Sequence, residues 1–427
     1  MSRYTRPKLL IGFLAVGFTG TGLAQESVKI GLNYSKTGPY SKEGLDQERA
    51  VNLAVEEMNA QGGILGRKVE IVPMDDEAKG DVSTRNATEL IEKHGVKMIL
   101  GGSSSGVAAA VSKVAKAKGV LFFATQASST EITVEDGHRY VFRSSTESWM
   151  AAKLLSNYLN KNFSGKKYFY ISADYNWGHT TEAAFRKFTS TTDEALHKRN
   201  RTPFPGAKEE DFKKAIEVAT MVKPDVIIFS LFGKDLETAI RLGTLAGLKK
   251  SAQFVVPIVT LNMAEGAGPR VFEGVIGQLP WAWNVAFEKN HENGKKYVEN
   301  FSQKYGRYPD WGGWSAYTIL SEYKTAVEKA KTFDAPKVVQ ALEGREFQVL
   351  KDKQIWRAFD HQAIQTVYAV KGRPESEVEK DKFKLNYFSI LSTLSGEEAS
   401  ISKEEWKAAR KSAQKPLFLE PLFPGEK

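Results

Sequence analysis

Strand-like and helix-like periods alternate along this chain from residue 28, and the alternation begins again after about residue 146. Parallel strands can be joined only by long crossovers, so a β-loop-α rhythm confines a chain to sheets covered by helices on both faces. VKIGLNY at 28–34 reads as the first strand, followed by a Gly38-Pro39 turn. In the next helix Ala50, Leu53, Ala54 and Met58 share a face, and Gly62-Gly63 ends it. KVEIVPMDD, VKMILGG and VLFFATQ are further strands. Helices predicted over 81–93 and over the GVAAAVSKVAKAK run, stopped by Gly119, separate them.

The second run repeats the pattern. WMAAKLLSNYLNKN, the segment near 178–190 and DLETAIRLGTLAGL read as helices, and KKYFYISAD, PDVIIFSLF and AQFVVPIVT as strands. VFEGVIGQLPWAW at 271–283 is strand-rich, 294–305 and 314–331 are helical, and QTVYAVKG is a late strand. Those later elements exceed what a second lobe needs, so the chain is expected to return to the first. Beyond residue 396 one short helical pattern remains, expected as a peripheral wrap.

Arg3, Arg6 and Lys8 precede an apolar run over 9–18, and Gly22 and Ala24 then occupy the positions a signal peptidase reads. Residues 1–24 are thus expected to be a secretory signal cleaved after Ala24. Its apolar core is too short for the roughly 30 Å of a bilayer interior. The mature protein is expected to be soluble and periplasmic. The chain has no cysteine, which excludes a thiol nucleophile, a disulfide scaffold and a lipid-anchored cysteine. Of the formal charge of +9, three units fall in the signal, and the remaining basic residues are interspersed with acidic ones. A nucleic-acid partner would call for a basic face with interleaved aromatics, so none is expected.

GGSSSGVAAAV at 101–111 invites a phosphate-cradle reading, and the residues refuse it. A P-loop needs GxxxxGK[ST], yet the first lysine after the glycines is Lys113, inside the helix. The GxGxxG dinucleotide spacing is absent too. Gly102 to Gly106 does fit GxSxG, which would make Ser104 a nucleophile, but it would need a histidine base. The six histidines sit mostly among Lys, Glu and Gly. No HExxH and no close His pair offers a metal site, so neither metal nor cofactor is expected. What remains is a set of hydroxyls and backbone N–H groups at a helix start, which suits a carboxylate and equally suits simple capping. QASSTEIT at 126–133 follows the next strand as the serine loop follows the third, so Ser105 and Ser128 can converge on one anion. Tyr175, Trp177 and Phe232 follow second-lobe strands and can stack on an organic ligand or simply pack in the core.

The chain resembles the periplasmic substrate-binding proteins of branched-chain amino-acid-type ABC importers, the type I periplasmic binding fold. VKIGLNYSKTGPYSKEG, AVNLAVEEMNAQGGILGRKVEIVPMDD, ILGGSSSGVAAAVSKVAKAKGV, ADYNWG, GRYPDWGGWSAYTILSEYKTAVEKA and the DHQ of RAFDHQAIQTVYAV carry the resemblance over about 28–372. It implies two doubly wound α/β lobes joined by a three-strand hinge, with ligand between them. The implied division is 27–145 plus 278–345 for the first lobe, 146–277 plus 346–395 for the second, and a tail over 396–427. By position, Ser105 matches the family's first-loop serine, Gln126 the place whose backbone carbonyl meets the ligand, and Ser128 the hydroxyl on the carboxylate. Trp177 takes the place of a ligand-stacking tyrosine and Phe232 that of another aromatic contact.

Where amino-acid binders of the family place an acidic residue for the ligand's ammonium, this chain has the uncharged strand end around Thr260, with Glu265 beyond it. Together with Trp281 and Trp283, the aromatics suggest a bulky or aromatic carboxylate without an amine. The implied partner is the membrane subunits of an ABC permease, and a monomer is expected. A branched-chain amino acid is the rival ligand. A receptor feeding a signalling partner and a secreted serine hydrolase are the rival roles.

Overall fold

A computed structural model describes residues 1 and 26–423. The expected export signal, apart from Met1, lies outside the described residues. The first sheet consists of β1 (Val28–Tyr34), β2 (Val69–Asp75), β3 (Met98–Gly101), β4 (Leu121–Ala124) and β5 (Val141–Arg143). These five strands lie in the order β2-β1-β3-β4-β5, all parallel. β3 and β4 bury every residue, as strands covered on both faces must. The chain leaves β1 to one side for β2 and to the other for β3, and such a switch opens a crevice at the carboxyl edge of the sheet.

The second lobe is built on β6 (Tyr168–Ala173), β7 (Arg199–Thr202), β8 (Val226–Ser230), β9 (Gln253–Val256) and β10 (Ile276–Leu279). After a small antiparallel sheet of β11 (Glu346–Phe347), β12 (Gln354–Trp356) and β13 (Ala363–Ile364) come β14 (Val367–Gly372) and β15 (Phe388–Leu394). The second sheet has seven strands in the order β15-β14-β10-β9-β8-β6-β7. This is the α/β architecture expected, with one addition: β14 and β15 are antiparallel to their neighbours. β10 ends at the lobe boundary with Leu279 opposite Tyr368, and β14 starts there, so the two must run in opposite directions.

Residues 346–364 stay with the first lobe, where the sequence had assigned them to the second. Phe347, Trp356 and Ala363 share a buried cluster with Leu32, Leu100 and Phe123. Trp356 stacks on Phe347 at 5.1 Å and meets the edge of Phe142 at 5.6 Å, so the small sheet caps the first core.

The chain passes between lobes near 144–147, 280–282 and 365–366, and buried polar side chains tie the passages together. Gln362 Nε2 donates to Ser145 O at 2.9 Å, Gln365 Nε2 to Ser144 O at 2.6 Å and Thr146 Oγ1 to Gln278 Oε1 at 3.2 Å. Lys351 Nζ donates to Pro280 O at 2.8 Å and Thr366 O at 2.6 Å. The tail makes a further passage. Its helix Gly396–Ala399 packs on the second-lobe helix Ser148–Phe163. The next helix, Lys403–Ser412, returns to the first lobe, where Trp406 Nε1 donates to Thr133 O at 3.0 Å and Arg410 Nη1 to Gly137 O at 3.1 Å. Among the described residues no helix is long and apolar enough to cross a membrane.

Candidate functional site

Strand ends from both lobes meet at one cavity. Ser103, Ser104, Ser105, Gln126 and Ser128 line it from the first lobe, and Tyr175, Trp177, Phe232 and Ile258 from the second. The lobes meet closely here, and the free volume left between them is about 10 Å³, on the order of one water molecule. Of the residues singled out in the sequence, Ser104, Ser105, Gln126, Ser128, Tyr175, Trp177 and Phe232 come together here, and Thr260, Trp281 and Trp283 do not.

The serine loop is shaped by its glycines. Gly101 and Gly102 have φ of +135° and +83°, and a Cβ on Gly101 would lie 1.9 Å from Asn33 O. Only glycine fits that approach of β3 to β1. The three serines then diverge. Ser103 Oγ donates to Asp76, whose carboxylate also accepts from Ser35 Oγ at 2.6 Å and Ala78 N at 2.8 Å. Ser104 is the N-cap of the helix Ser105–Lys118 and accepts from Val107 N at 3.3 Å. Ser105 Oγ accepts from Ser129 N at 3.0 Å, tying the two first-lobe loops together. Ser128 Oγ makes a 3.3 Å contact to Gln126 O. As acceptors, Ser104 and Ser105 keep their O–H groups for a further partner beside a helix N-terminus, which is chemistry that receives an anion.

Gln126 was singled out for its backbone, and its side chain is fixed as well. Gln47 Nε2 donates to Gln126 Oε1 at 2.8 Å, and Thr125 Oγ1 donates to Gln47 Oε1 at 2.6 Å. Gly312 leaves room for this amide, since a Cβ there would lie 2.2 Å from Gln126 Nε2. Neither Gln47 nor Gly312 carries a site signal in the sequence, because each reaches Gln126 only through the packing of separate helices.

An aromatic wall faces the hydroxyls. Phe204 stacks on Tyr175 at 4.3 Å and on Tyr40 at 5.3 Å. Tyr40 and Trp177 meet Phe232 edge-on at 5.1 and 6.2 Å, and Trp311 stands 6.4 Å from Phe232. The Tyr40 and Tyr175 hydroxyls lie 3.3 Å apart, and burial pushes both phenols well above their ordinary range. Tyr40, Phe204 and Trp311 were not singled out in the sequence. Trp281 and Trp283, suggested as ligand aromatics, stand elsewhere: Trp281 stacks on Trp314 at 6.3 Å and Trp283 on Tyr308 at 3.8 Å.

Thr260 is a structural residue. It caps the helix Leu261–Ala267, accepting from Met263 N at 2.9 Å, and donates to Glu43 Oε1 of the first lobe at 3.2 Å. Glu265 pairs with Arg307 at 3.0 Å, away from the cavity. No acidic side chain is among the lining residues. The acids lie behind, where the lobes touch. Asp310 Oδ1 accepts from Trp311 N at 2.7 Å and Oδ2 from Asn262 N at 3.1 Å, so one carboxylate caps a helix in each lobe. Lys42 crosses to Glu237 at 2.8 Å, and Trp311 Nε1 to Val259 O at 2.8 Å. Burial pushes the Glu43 carboxyl up to about 8 and also raises Asp46 and Asp310.

Ser104, the candidate nucleophile, has no histidine beside it in the cavity. His138 instead lies 2.8 Å from Ser112 Oγ under the tail, where burial pushes its imidazole down to about 4. Among the described residues no group of three or more His, Asp or Glu is placed to hold a metal ion.

Two α/β lobes whose strand ends meet at a shared cavity define a cleft-binding protein. Residues 27–377 match the family model described as periplasmic binding protein, and the chain belongs to that family. It is 28% identical over 346 residues to the Leu/Ile/Val-binding protein homolog 7 of Brucella abortus, covering 76% of this chain and 82% of the relative. A periplasmic binding protein from Burkholderia mallei superposes with a TM-score of 0.80 at 23% identity, over 89% of this chain and 97% of its own. A solute binding protein of an ABC transporter from Rhodopseudomonas palustris, solved with 3,4-dihydroxybenzoic acid, gives 0.76 at 19% identity, over 87% and 98%. At these identities the solved structures show a shared fold.

Proposed function

We propose that this protein is an exported receptor that binds a small organic carboxylate, aromatic or bulky and aliphatic, and hands it to an ABC permease. The observation that carries this is the division of the cavity: hydroxyls at a helix start on one side, aromatic rings on the other, and no acidic side chain in the lining. A carboxylate pairs with the first side through Ser105 and Ser128. An ammonium on the same ligand would be buried without a counter-charge, which costs several kcal/mol. The dihydroxybenzoic acid held by the Rhodopseudomonas protein supports an aromatic acid. Ligand touching both lobes favours the closed form, as lobe closure works in periplasmic binding proteins generally.

A second reading, a branched-chain amino acid, is favoured by the name of the Brucella relative and by Asp235. That carboxyl lies near Tyr40 and Tyr175, and burial pushes it up to about 7. Thermal-shift measurements with benzoates, aliphatic acids and leucine-like amino acids separate the two, since a ligand of the native state raises the melting temperature. A rise with the acids is expected. A response confined to leucine, isoleucine and valine would overturn the carboxylate reading.

A further inference from the structure

We propose that the indole N–H of Trp177 reads an oxygen acceptor on the body of the ligand, so that the protein prefers an acid carrying a hydroxyl or carbonyl remote from its carboxylate. This rests on the carboxylate reading above and narrows it. Trp177 is 3% exposed and lines the cavity, and its Nε1 has no hydrogen-bond partner. Buried donors are nearly always paired, and one left unpaired is costly. Its polar neighbours are engaged elsewhere: the Tyr175 hydroxyl faces that of Tyr40 at 3.3 Å, and Thr180 Oγ1 contacts the Trp177 carbonyl at 3.3 Å. Trp311, in the same aromatic wall, does have a partner, the carbonyl of Val259. The indole N–H groups of Trp149, Trp281, Trp314 and Trp356 also lack partners, but none of those rings lines the cavity. Trp177 differs in standing at the cavity.

The cavity's chemistry is otherwise segregated. Its serines and Gln126 all belong to the first lobe, and the second lobe adds only the Tyr175 hydroxyl and the Trp177 N–H as polar groups. With the carboxylate on the serine side, the rest of the ligand lies against the aromatic wall. A hydrocarbon body leaves the N–H unpaired, whereas an oxygen substituent completes it. A site built to hydrogen-bond a substrate oxygen discriminates strongly against an analogue lacking it.

The test is calorimetric titration of size-matched acids: 4-hydroxybenzoate against 4-methylbenzoate, and 4-oxopentanoate against 4-methylpentanoate. In the unaltered protein the oxygenated member of at least one pair is expected to bind about 10- to 100-fold more tightly. Replacing Trp177 by 3-benzothienylalanine exchanges the N–H for sulfur and keeps the ring shape. That preference should then vanish, with the methylated member bound as before; Trp177→Phe should also abolish it. Equal affinities in the unaltered protein, or a preference that survives loss of the N–H, would overturn this proposal and leave the carboxylate reading standing. Failure of every acid to bind the unaltered protein would overturn both. Loss of the fold on sulfur exchange alone would reveal a structural partner for the N–H, and would also overturn it.

Discussion

The side-chain oxygen of Ser104 accepts the Val107 N–H of its own helix, whereas that of Ser105 accepts the Ser129 N–H of the neighbouring loop. Ser104→Ala is therefore expected to act mainly on stability, at about 1 kcal/mol for a lost N-cap, read by urea denaturation. Ser105→Ala removes the donor proposed for the carboxylate and the observed tie between loops. It should weaken binding of the acid about tenfold or more, the scale of a hydrogen bond to a charged group, as measured by calorimetry. Unchanged affinity in a Ser105→Ala, Ser128→Ala double variant would show that the acid binds elsewhere. These serines were legible because a helix start after a parallel strand is a local pattern. Tyr40 was not, since it stands in the Gly-Pro turn and reaches the site only through the approach of the other lobe. Gly233 marks that approach: its φ is +58°, and a Cβ there would lie 2.6 Å from Pro39 O.

Among the elements, the strands with continuous apolar runs were readable and those without were not. β7 reads RNRT, is buried only at Thr202 and ends the sheet, so the usual hydrophobic signal is missing. Phe204, which follows it, was missed with it. β15 has a similarly weak pattern at the opposite edge, with only Phe388 buried. The N-terminus of the helix Leu261–Ala267 was equally hidden, because Asp310 and Glu43 meet it from the other lobe. That junction carries a pH dependence. Burial holds the Glu43 carboxyl neutral up to about pH 8, against an ordinary value of 4.5. The unfolded chain therefore releases this proton first, and the stability contributed by Glu43 is lost as pH rises from about 4.5 to about 8. The slope is at most about 1.4 kcal/mol per pH unit. Glu43→Gln keeps an acceptor for Thr260 and should flatten the fall in melting temperature between pH 5 and 8. An unchanged slope in the variant would assign the dependence to other groups.

Over the whole molecule, the restart of the β-loop-α rhythm made two lobes legible, and the surplus of later elements announced the return to the first. The assignment of 346–364 was not legible, because strands of two or three residues carry no period and are placed by Trp356 packing on Phe142. The tail's second passage between lobes was not legible either, since its contacts with the first lobe come from single side chains such as Trp406 and Arg410. Trp406 is fully buried against the 133–134 backbone, just beyond the cavity-lining Ser128 loop. Trp406→Ala should cost about 3–5 kcal/mol, as other large buried aromatics do. It should also speed amide hydrogen exchange over 130–138. If exchange there stays slow, the tail does not hold that loop.

Lys351 bears on the setting in which such a joint can work. Its ammonium, fully buried and pushed down to about 8 by that burial, links the carbonyls of Pro280 and Thr366 from two of the passages between lobes. An exported protein can clamp neighbouring segments with a disulfide, which depends on oxidising surroundings. Here the clamp is a shared proton donor in a chain without cysteine. It forms as soon as the chain folds, needs no oxidant or isomerase, and holds equally well in reducing and oxidising media.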